Sequence, residues 1–186
     1  YLEKINAIQL PNTKIKILQQ LLQQVIADYK RTNKIKAMEF SDRMKKLVEE
    51  YNNRHLDDFT VQVLDEVTKQ LNDLLNDIKV DKDKFKELGI SFEEKAFYDI
   101  LVSCAQKFHF ENQYPDDKMK DLAKKVKALV DDKTKYTDWD QRIDVKAEME
   151  ADLMILLDDN GYPPVPRNEV YNEVFEQAEN FKKYAG

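Results

Sequence analysis

Residues 137–158, TDWDQRIDVKAEMEADLMILLD, carry apolar side chains on more than one side of a helix. At helical spacing they form two stripes: Trp139, Ile143, Ala147, Met154 and Leu157 in one, and Val145, Met149, Leu153 and Leu156 in the other. A helix with apolar residues on two sides is typical of the centre of a domain. We therefore predict a central helix that begins near Thr137 and Asp138 and ends at about Asp158.

The sequence after this helix predicts a sharp end and one further helix. Glycine readily adopts the left-handed conformation that ends many helices, so Asn160-Gly161 marks the stop. Prolines at 163, 164 and 166 prevent an early restart, because proline disfavours helix at its own position and at the residue before it. Asn168 can cap a last helix, whose apolar stripe consists of Val170, Tyr171, Val174, Phe175, Ala178 and Phe181.

Upstream, apolar residues recur at helical spacing over residues 15–29, 40–51, 64–78, 97–108 and 119–130. Ser91 and Glu94 have the spacing of a capping box, and Pro115 with Asp116 opens the next helix. The charged stretch from Asp81 to Gly89 is typical of a short helix or a linker. The prediction is an all-α fold, a multi-helix array of about seven helices. It has an N-terminal helical layer over residues 1–88 and a compact C-terminal helical domain over residues 89–186.

The composition fits this fold and narrows the function. Charged residues make up 35% of the 186 residues and only three are glycine, which favours solvated helices over sheets with tight turns. The net charge of -6 argues against a general nucleic-acid-binding body. Cys104 is the only cysteine, so an internal disulfide is excluded and a cytoplasmic location is expected. No apolar run approaches the roughly 18–20 residues of a membrane span, so we expect no membrane partner. The start at Tyr1 indicates a piece of a longer chain.

Sequence motifs of catalysis and metal binding are missing. Glycine occurs only at 89, 161 and 186, so a phosphate-binding loop, a dinucleotide fingerprint or a nucleophile elbow cannot form. The candidate metal ligands His55, His109 and Cys104 lack the spacing of a zinc site. We therefore expect no catalytic residue, no metal site and no cofactor in this chain.

One helix concentrates positive charge and is a candidate for contact with duplex DNA. Its lysines are Lys118, Lys120, Lys124, Lys125 and Lys127. Lysines on one flank of a helix can neutralise phosphates without reading sequence. Aspartates at 116, 117, 121, 131 and 132 surround them, and such alternation is also typical of a solvated helix face.

Residues 91–186 resemble the C-terminal domain of the restriction subunit of type I restriction enzymes. The similarity lies in five ordered motifs: Phe97-Tyr98-Asp99-Ile100-Leu101; Leu122-Ala123 with Val126 and Val130; Thr137-Asp138-Trp139 with Arg142, Asp144, Ala147 and Met149; Leu156-Leu157 before Gly161-Tyr162-Pro163-Pro164; and Val174 with Glu176-Gln177-Ala178-Glu179. Residues 33–80 resemble the preceding region more loosely. Two positions depart from the family pattern: Lys146 stands where the family often has arginine, and Glu150 replaces the basic residue that is frequent after Met149.

The resemblance implies that the parent chain is an ATP-dependent type I site-specific deoxyribonuclease. Its nuclease and motor domains would lie upstream, so ATP and Mg2+ are cofactors of the parent enzyme and none belongs to this fragment. The family's C-terminal region is expected to dock the motor subunit onto the methyltransferase core. The expected partners are therefore the modification and specificity subunits, and the fragment is not expected to be an enzyme on its own.

The resemblance also suggests where a partner would bind. Arg142, Tyr162, Pro163 and Trp139 are the candidate interface residues, because Trp, Tyr and Arg are enriched at the centres of interfaces. An alternative interpretation packs Trp139 in the domain core and pairs Arg142 with Asp138, four residues earlier.

Overall fold

The computed structural model describes residues 2–6, 11–55, 58–135, 138–165 and 167–184. Over these ranges the chain is helical and contains no β-strand, which confirms the all-α prediction. The helices are α1 Leu2–Asn6, α2 Pro11–Lys30, α3 Lys34–Asn52, α4 Val61–Asp83, α5 Phe85–Leu88, α6 Phe92–Lys107, α7 Asp116–Lys133, α8 Ile143–Asp159 and α9 Asn168–Tyr184. A turn of 3-10 helix, Trp139–Gln141, precedes α8.

Two compact units make up the chain. The N-terminal unit comprises Tyr1–Tyr29 and Ala37–Asp83, and the C-terminal unit comprises Lys30–Lys36 and Lys84–Gly186. The sequence suggested a single division after residue 88. In the structure this division lies between residues 83 and 84, and the turn between α2 and α3 also belongs to the C-terminal unit. Hydrogen bonds explain this assignment, since the backbone N–H of Lys34 donates to Oε1 of Gln177 in α9 at 3.1 Å.

In the N-terminal unit, α2 and α4 bury most of the apolar stripes that the sequence indicates, whereas Leu47, Val48 and Tyr51 of the α3 stripe are only half-buried. The buried apolar residues of the three helices are Ile15, Leu18, Leu22, Ile26, Tyr29, Ala37, Phe40, Met44, Leu64, Val67, Leu71, Leu74, Leu75 and Ile78. The hydroxyl of Tyr29, at the end of α2, donates a 2.7 Å hydrogen bond to Oδ2 of Asp81 in α4. This bond satisfies a polar group at the end of an otherwise apolar stripe.

Several predicted helix ends are confirmed. The Ser91 side chain accepts from the Glu94 backbone N–H at 3.0 Å, and the Glu94 carboxylate accepts from the Ser91 N–H at 2.8 Å. This is a complete capping box. Gly161 has φ +67°, a left-handed conformation in which a side chain would be strained. It follows α8 where the sequence predicts the helix to stop.

The prediction of a central α8 is wrong in two respects. The helix begins at Ile143 because Arg142 is extended, with φ -95° and ψ 104°; Thr137 lies outside the described residues. Only one side of α8 is buried, through Val145, Met149, Leu153 and Leu157. Helices α7 and α9 pack against α8, whereas Ile143, Ala147 and Met154 are exposed.

The central helix of the C-terminal unit is α6. It packs against α5, α7 and α9, and its buried residues lie on more than one side. They are Lys95, Ala96, Phe97, Asp99, Ile100, Leu101, Cys104 and Ala105. The core formed around α6 positions the surfaces of α7, α8 and α9 on which a site could lie.

Candidate partner-binding surface

Tyr162, a predicted interface residue, lies in the core of the C-terminal unit with 0% of its surface exposed. Its ring makes edge-on contacts with Phe110 and Tyr114, at centroid distances of 5.4 and 5.2 Å. Burial raises the pKa of its hydroxyl, so the group acts as a neutral hydrogen-bond donor. Pro163, joined to it by a cis peptide bond, is also buried. Both residues are inaccessible to a partner in this structure.

Trp139 is 7% exposed and packs against the core, as the alternative interpretation expected. It lies at a groove of about 330 Å³ on the surface of the C-terminal unit. The ammonium of Lys146 is 6.0 Å from the centroid of the indole ring. Two ion pairs lie on the rim of the groove, Lys146 with Glu179 at 3.0 Å and Lys34 with Glu176 at 3.4 Å.

Arg142 is the most accessible of the four predicted interface residues, with 43% of its side chain exposed. Its guanidinium donates two hydrogen bonds to the Asp144 carboxylate, at 2.7 and 3.3 Å. The same pairing lowers the pKa of Asp144. Arg142 therefore lies, already paired, at the start of α8 and beside the exposed side of that helix.

The exposed side of α8 carries an apolar ridge. Ile143, Ala147, Ala151 and Ile155 follow one another at intervals of four residues, and all four are exposed. Exposure is 84% for Ile143 and 58% for Ile155; Met154, beside the ridge, is 40% exposed. Residues four apart on a helix form continuous ridges that neighbouring helices pack against. Of the eight large apolar side chains that are exposed in the described ranges, three are on this helix: Ile143, Met154 and Ile155.

Acidic side chains border the apolar ridge on both sides. Glu150 and Asp158 lie four residues before and after Met154, and both are exposed. On the other side, Asp144, Glu148 and Asp152 also repeat every four residues. Ion pairs hold these three, since Arg142 contacts Asp144, and Lys133 contacts both Glu148 and Asp152 at 2.6 Å. Glu150 and Asp158 have no ion-pair partner among the described residues, so this border is negative.

The lysines proposed to contact DNA lie on α7 and are mostly paired with acids. Lys120 pairs with Asp116 at 2.8 Å and Lys125 with Asp121 at 2.7 Å. Lys127 contacts Glu93 at 2.9 Å and also pairs with Asp131. Lys118 and Lys124 are exposed and form no ion pair within the part of the chain that is described. The positive surface available to phosphate is therefore smaller than the lysine count suggests.

The C-terminal unit contains a buried polar cluster that the sequence patterns do not predict. The ammonium of Lys95, 1% exposed, contacts Oδ2 of Asp99 at 2.5 Å. Nδ2 of Asn33 donates to the same oxygen at 2.6 Å. Burial raises the pKa of Asp99, and the contacts with Lys95 and Asn33 oppose that rise. The i,i+4 spacing of Lys95 and Asp99 was the available signal, but such pairs are usually solvated. This cluster anchors the turn between α2 and α3 on α6.

The surroundings of Cys104 indicate a structural role for this residue. Burial raises the pKa of the Cys104 thiol to about 12, so it is a thiol and a poor nucleophile at neutral pH. Its Sγ lies 3.5 Å from Oε2 of Glu173. Within the described ranges, no three side chains of histidine, cysteine, aspartate or glutamate are grouped to hold a metal ion. None of the described helices is long and apolar enough to cross a membrane.

Comparison with known proteins places the chain in a family. The family model described as type I restriction enzyme HindI endonuclease subunit-like, C-terminal, matches residues 1–184. A protein of Methanocaldococcus jannaschii, assigned as the MjaIXP endonuclease subunit of a type I restriction enzyme, is 26% identical over 97% of this chain. The HindI endonuclease subunit of Haemophilus influenzae is 26% identical over 96% of this chain. In each case the match covers 16% of the relative, and no solved structure matches the chain.

The family match spans both compact units and all the described helices. It covers residues 91–186, which contain the five motifs, and also the helices that precede them. The chain therefore belongs to the family of C-terminal regions of type I restriction enzyme endonuclease subunits of the HindI type.

Proposed function

We propose that this chain is an assembly module, which docks the endonuclease subunit of a type I restriction enzyme onto its modification and specificity subunits. The apolar ridge of α8 is the observation that carries the proposal. Ile143, Ala147, Ala151 and Ile155 leave an ordered apolar surface exposed to water. Exposed apolar surface of this kind, with a polar border, is typical of a site for another protein.

The rest of the C-terminal unit supports the same role. Two of the four interface residues suggested by the sequence, Tyr162 and Pro163, are instead buried in the turn after α8, where the Tyr162 hydroxyl bonds to α6. A rigid core beneath α8 keeps the exposed ridge in one conformation, and a preorganised surface binds a partner at a smaller entropic cost. Arg142, at the start of α8, then adds a planar cation to the edge of the surface.

The parent enzyme would perform the chemistry outside this chain. We propose that it is an ATP-dependent deoxyribonuclease that uses Mg2+, in keeping with the family of endonuclease subunits. Glycine at only 89, 161 and 186 leaves this chain without a phosphate-binding loop, so ATP and Mg2+ would bind elsewhere in the parent. The chain spans 16% of the length of each relative described above.

Co-purification tests the assembly role. The tagged chain is incubated with the cognate modification and specificity subunits and washed at low and at high salt. Contact through an apolar ridge survives high salt, because salt screens exposed charges but does not weaken apolar burial. Capture that persists at high salt supports the proposal. No capture under either condition contradicts it.

Contact with duplex DNA is a second candidate function, which rests on Lys118 and Lys124. Both are exposed and lack an ion pair in the described part of the chain. Replacing both with glutamate is expected to abolish weak, salt-sensitive retention on plain duplex, whereas replacing Lys45 and Lys46 on α3 leaves it unchanged. Equal retention of the two double variants would exclude α7 as the DNA-binding surface.

A further inference from the structure

The exposed side of α8 has both a shape and a charge that define the kind of partner it accepts. The shape comes from the ridge, in which bulky Ile143 and Ile155 stand at the two ends and the small residues Ala147 and Ala151 lie between them. Small side chains allow a second helix to approach closely, while large ones at the ends fit into its grooves. The side therefore fits a helix better than it fits an extended strand, because α8 offers no unpaired backbone edge.

The charge next to this ridge is negative. Glu150 and Asp158 flank Met154 at i,i+4 spacing and have no ion-pair partner in the described ranges. Asp159 lies four residues after Ile155, is also exposed and is likewise without an ion pair there. Across the ridge, Glu148 and Asp152 share one cation, Lys133. A partner with acidic residues beside its apolar face would bring like charges together, whereas lysine or arginine there would pair with these carboxylates.

We infer that the exposed side of α8 binds an amphipathic helix of another protein chain, whose apolar stripe is bordered by lysine or arginine residues. The inference rests on the proposed docking role and adds the chemistry of the segment that docks. A second copy of this chain is a poorer occupant. Two α8 ridges facing each other would bring together the acidic borders of both copies, and like charges at short range oppose association.

Binding of synthetic peptides tests the inference directly. Three fluorescent 18-residue helical peptides share one leucine stripe and differ in its border, which is lysine, glutamate or serine. Anisotropy titrations with the 186-residue chain should give an affinity about 10-fold or more higher for the lysine-bordered peptide than for the glutamate-bordered one. Equal affinity for the two would overturn the inference.

Matched variants assign the binding to α8. The double variant Met154→Ser, Ile155→Ser should lower the affinity for the lysine-bordered peptide about 10-fold, since two large apolar contacts are lost. Val80→Ser is the control, because Val80 is 68% exposed on α4. Glu150→Lys with Asp158→Lys should reverse the preference between the lysine and glutamate borders. Asp65→Lys with Glu66→Lys changes the net charge equally on α4 and should keep the preference.

The remaining outcomes separate this inference from the docking role. Peptide selectivity without capture of the modification and specificity subunits supports the inference about α8 and contradicts the proposed function. The double variant Met154→Ser, Ile155→Ser could also capture the modification and specificity subunits as well as the wild-type chain does. Together with unselective peptide binding, that result would support the proposed function and overturn the inference. Sedimentation that shows a dimer abolished by the same double variant would identify a second copy as the occupant, and it too would overturn the inference.

Discussion

The hydroxyl of Tyr162 donates a 2.6 Å hydrogen bond to the backbone carbonyl oxygen of Leu101. Leu101 lies in the middle of α6, and Tyr162 lies in the turn that follows α8. The bond therefore ties the end of α8 to the central helix of the C-terminal unit. Both partners are fully buried, so no water can replace the hydroxyl if it is removed.

Tyr162→Phe is expected to lower the free energy of unfolding by about 1–2 kcal/mol, because it deletes a buried hydrogen bond and keeps the ring. Tyr114→Phe is the matched control, since the Tyr114 hydroxyl donates to the Asn160 carbonyl at 3.0 Å in a part-buried site. Its loss should be smaller, about 0.5–1 kcal/mol. Urea denaturation measures both values. Losses of equal size would show that burial of the Tyr162 hydroxyl has no special effect.

The Lys95–Asp99 pair gives a test by double-mutant cycle. Asp99→Asn removes the carboxylate that contacts the buried ammonium of Lys95, and this loss should cost about 3–5 kcal/mol of stability. Lys95→Met with Asp99→Asn removes both charges and keeps an acceptor for Asn33, so the double variant should recover most of the loss. Thermal or urea unfolding of the four proteins gives the coupling free energy. A double variant that is less stable than Asp99→Asn alone would contradict the assignment of a buried, coupled pair.

Acid sensitivity should depend on Asp131. Burial raises its pKa, but hydrogen bonds from Lys127 and Lys182 outweigh that effect, and the pKa lies below the ordinary value of 3.8. A carboxyl with a lowered pKa stabilises the folded state above its unfolded pKa, and this contribution is lost as pH falls through its folded pKa. Asp131→Asn should therefore reduce stability at neutral pH and flatten the loss of stability below about pH 4.

The control for Asp131 is Asp132→Asn, because Asp132 is 70% exposed and its pair with Lys135 is 3.5 Å long. Exposed ion pairs contribute little to stability, so this variant should follow the wild-type pH profile. Urea denaturation at a series of pH values measures each profile. If the free energy of unfolding of Asp131→Asn falls below about pH 4 as steeply as that of the wild type, Asp131 is not a source of the acid sensitivity.

His109 lies at the end of α6 with φ +60°, in the left-handed region that glycine occupies more easily. The next residue, Phe110, donates its N–H to the Ala105 carbonyl at 2.9 Å, which closes the helix end. His109→Gly is expected to raise stability by about 0.5–1 kcal/mol by relieving this strain. Gln106→Gly, within the last turn of the same helix, should lower it by about 0.5–1 kcal/mol. Destabilisation by both substitutions would argue that the His109 side chain makes a compensating contact.

Periodicity predicted the helices well because each apolar stripe is a local property of the sequence. The stripes of α2 and α4 are buried as expected, and Ser91 with Glu94 forms the capping box that their spacing indicates. Periodicity could not show whether another helix covers a given stripe. For that reason the stripe that contains Ile143 and Met154 predicts a central α8, although both residues are exposed and α6 takes that place.

The surface was harder to predict than the fold. By residue type and position, Tyr162 and Pro163 are candidate interface residues. In the structure, contacts with α6 and with the aromatic rings of Phe110 and Tyr114 bury Tyr162. Asp99 accepts a hydrogen bond from Asn33, 66 residues away, and no local pattern reveals this contact. The Lys127 pair with Glu93 likewise joins two helices. Such contacts depend on how helices pack, which spacing along one helix does not determine.

Competition in the assembly of the complex tests whether this chain is the docking module. The full endonuclease subunit is mixed with the modification and specificity subunits proposed as its partners, and the 186-residue chain is added in increasing amounts while the complex is followed by analytical size exclusion. If this chain carries the docking surface, it should displace the full subunit in proportion to its concentration, whereas Met154→Glu with Ile155→Glu should displace far less. Complex formation that is unaffected by saturating wild-type chain would contradict the claim and place the docking surface elsewhere in the subunit.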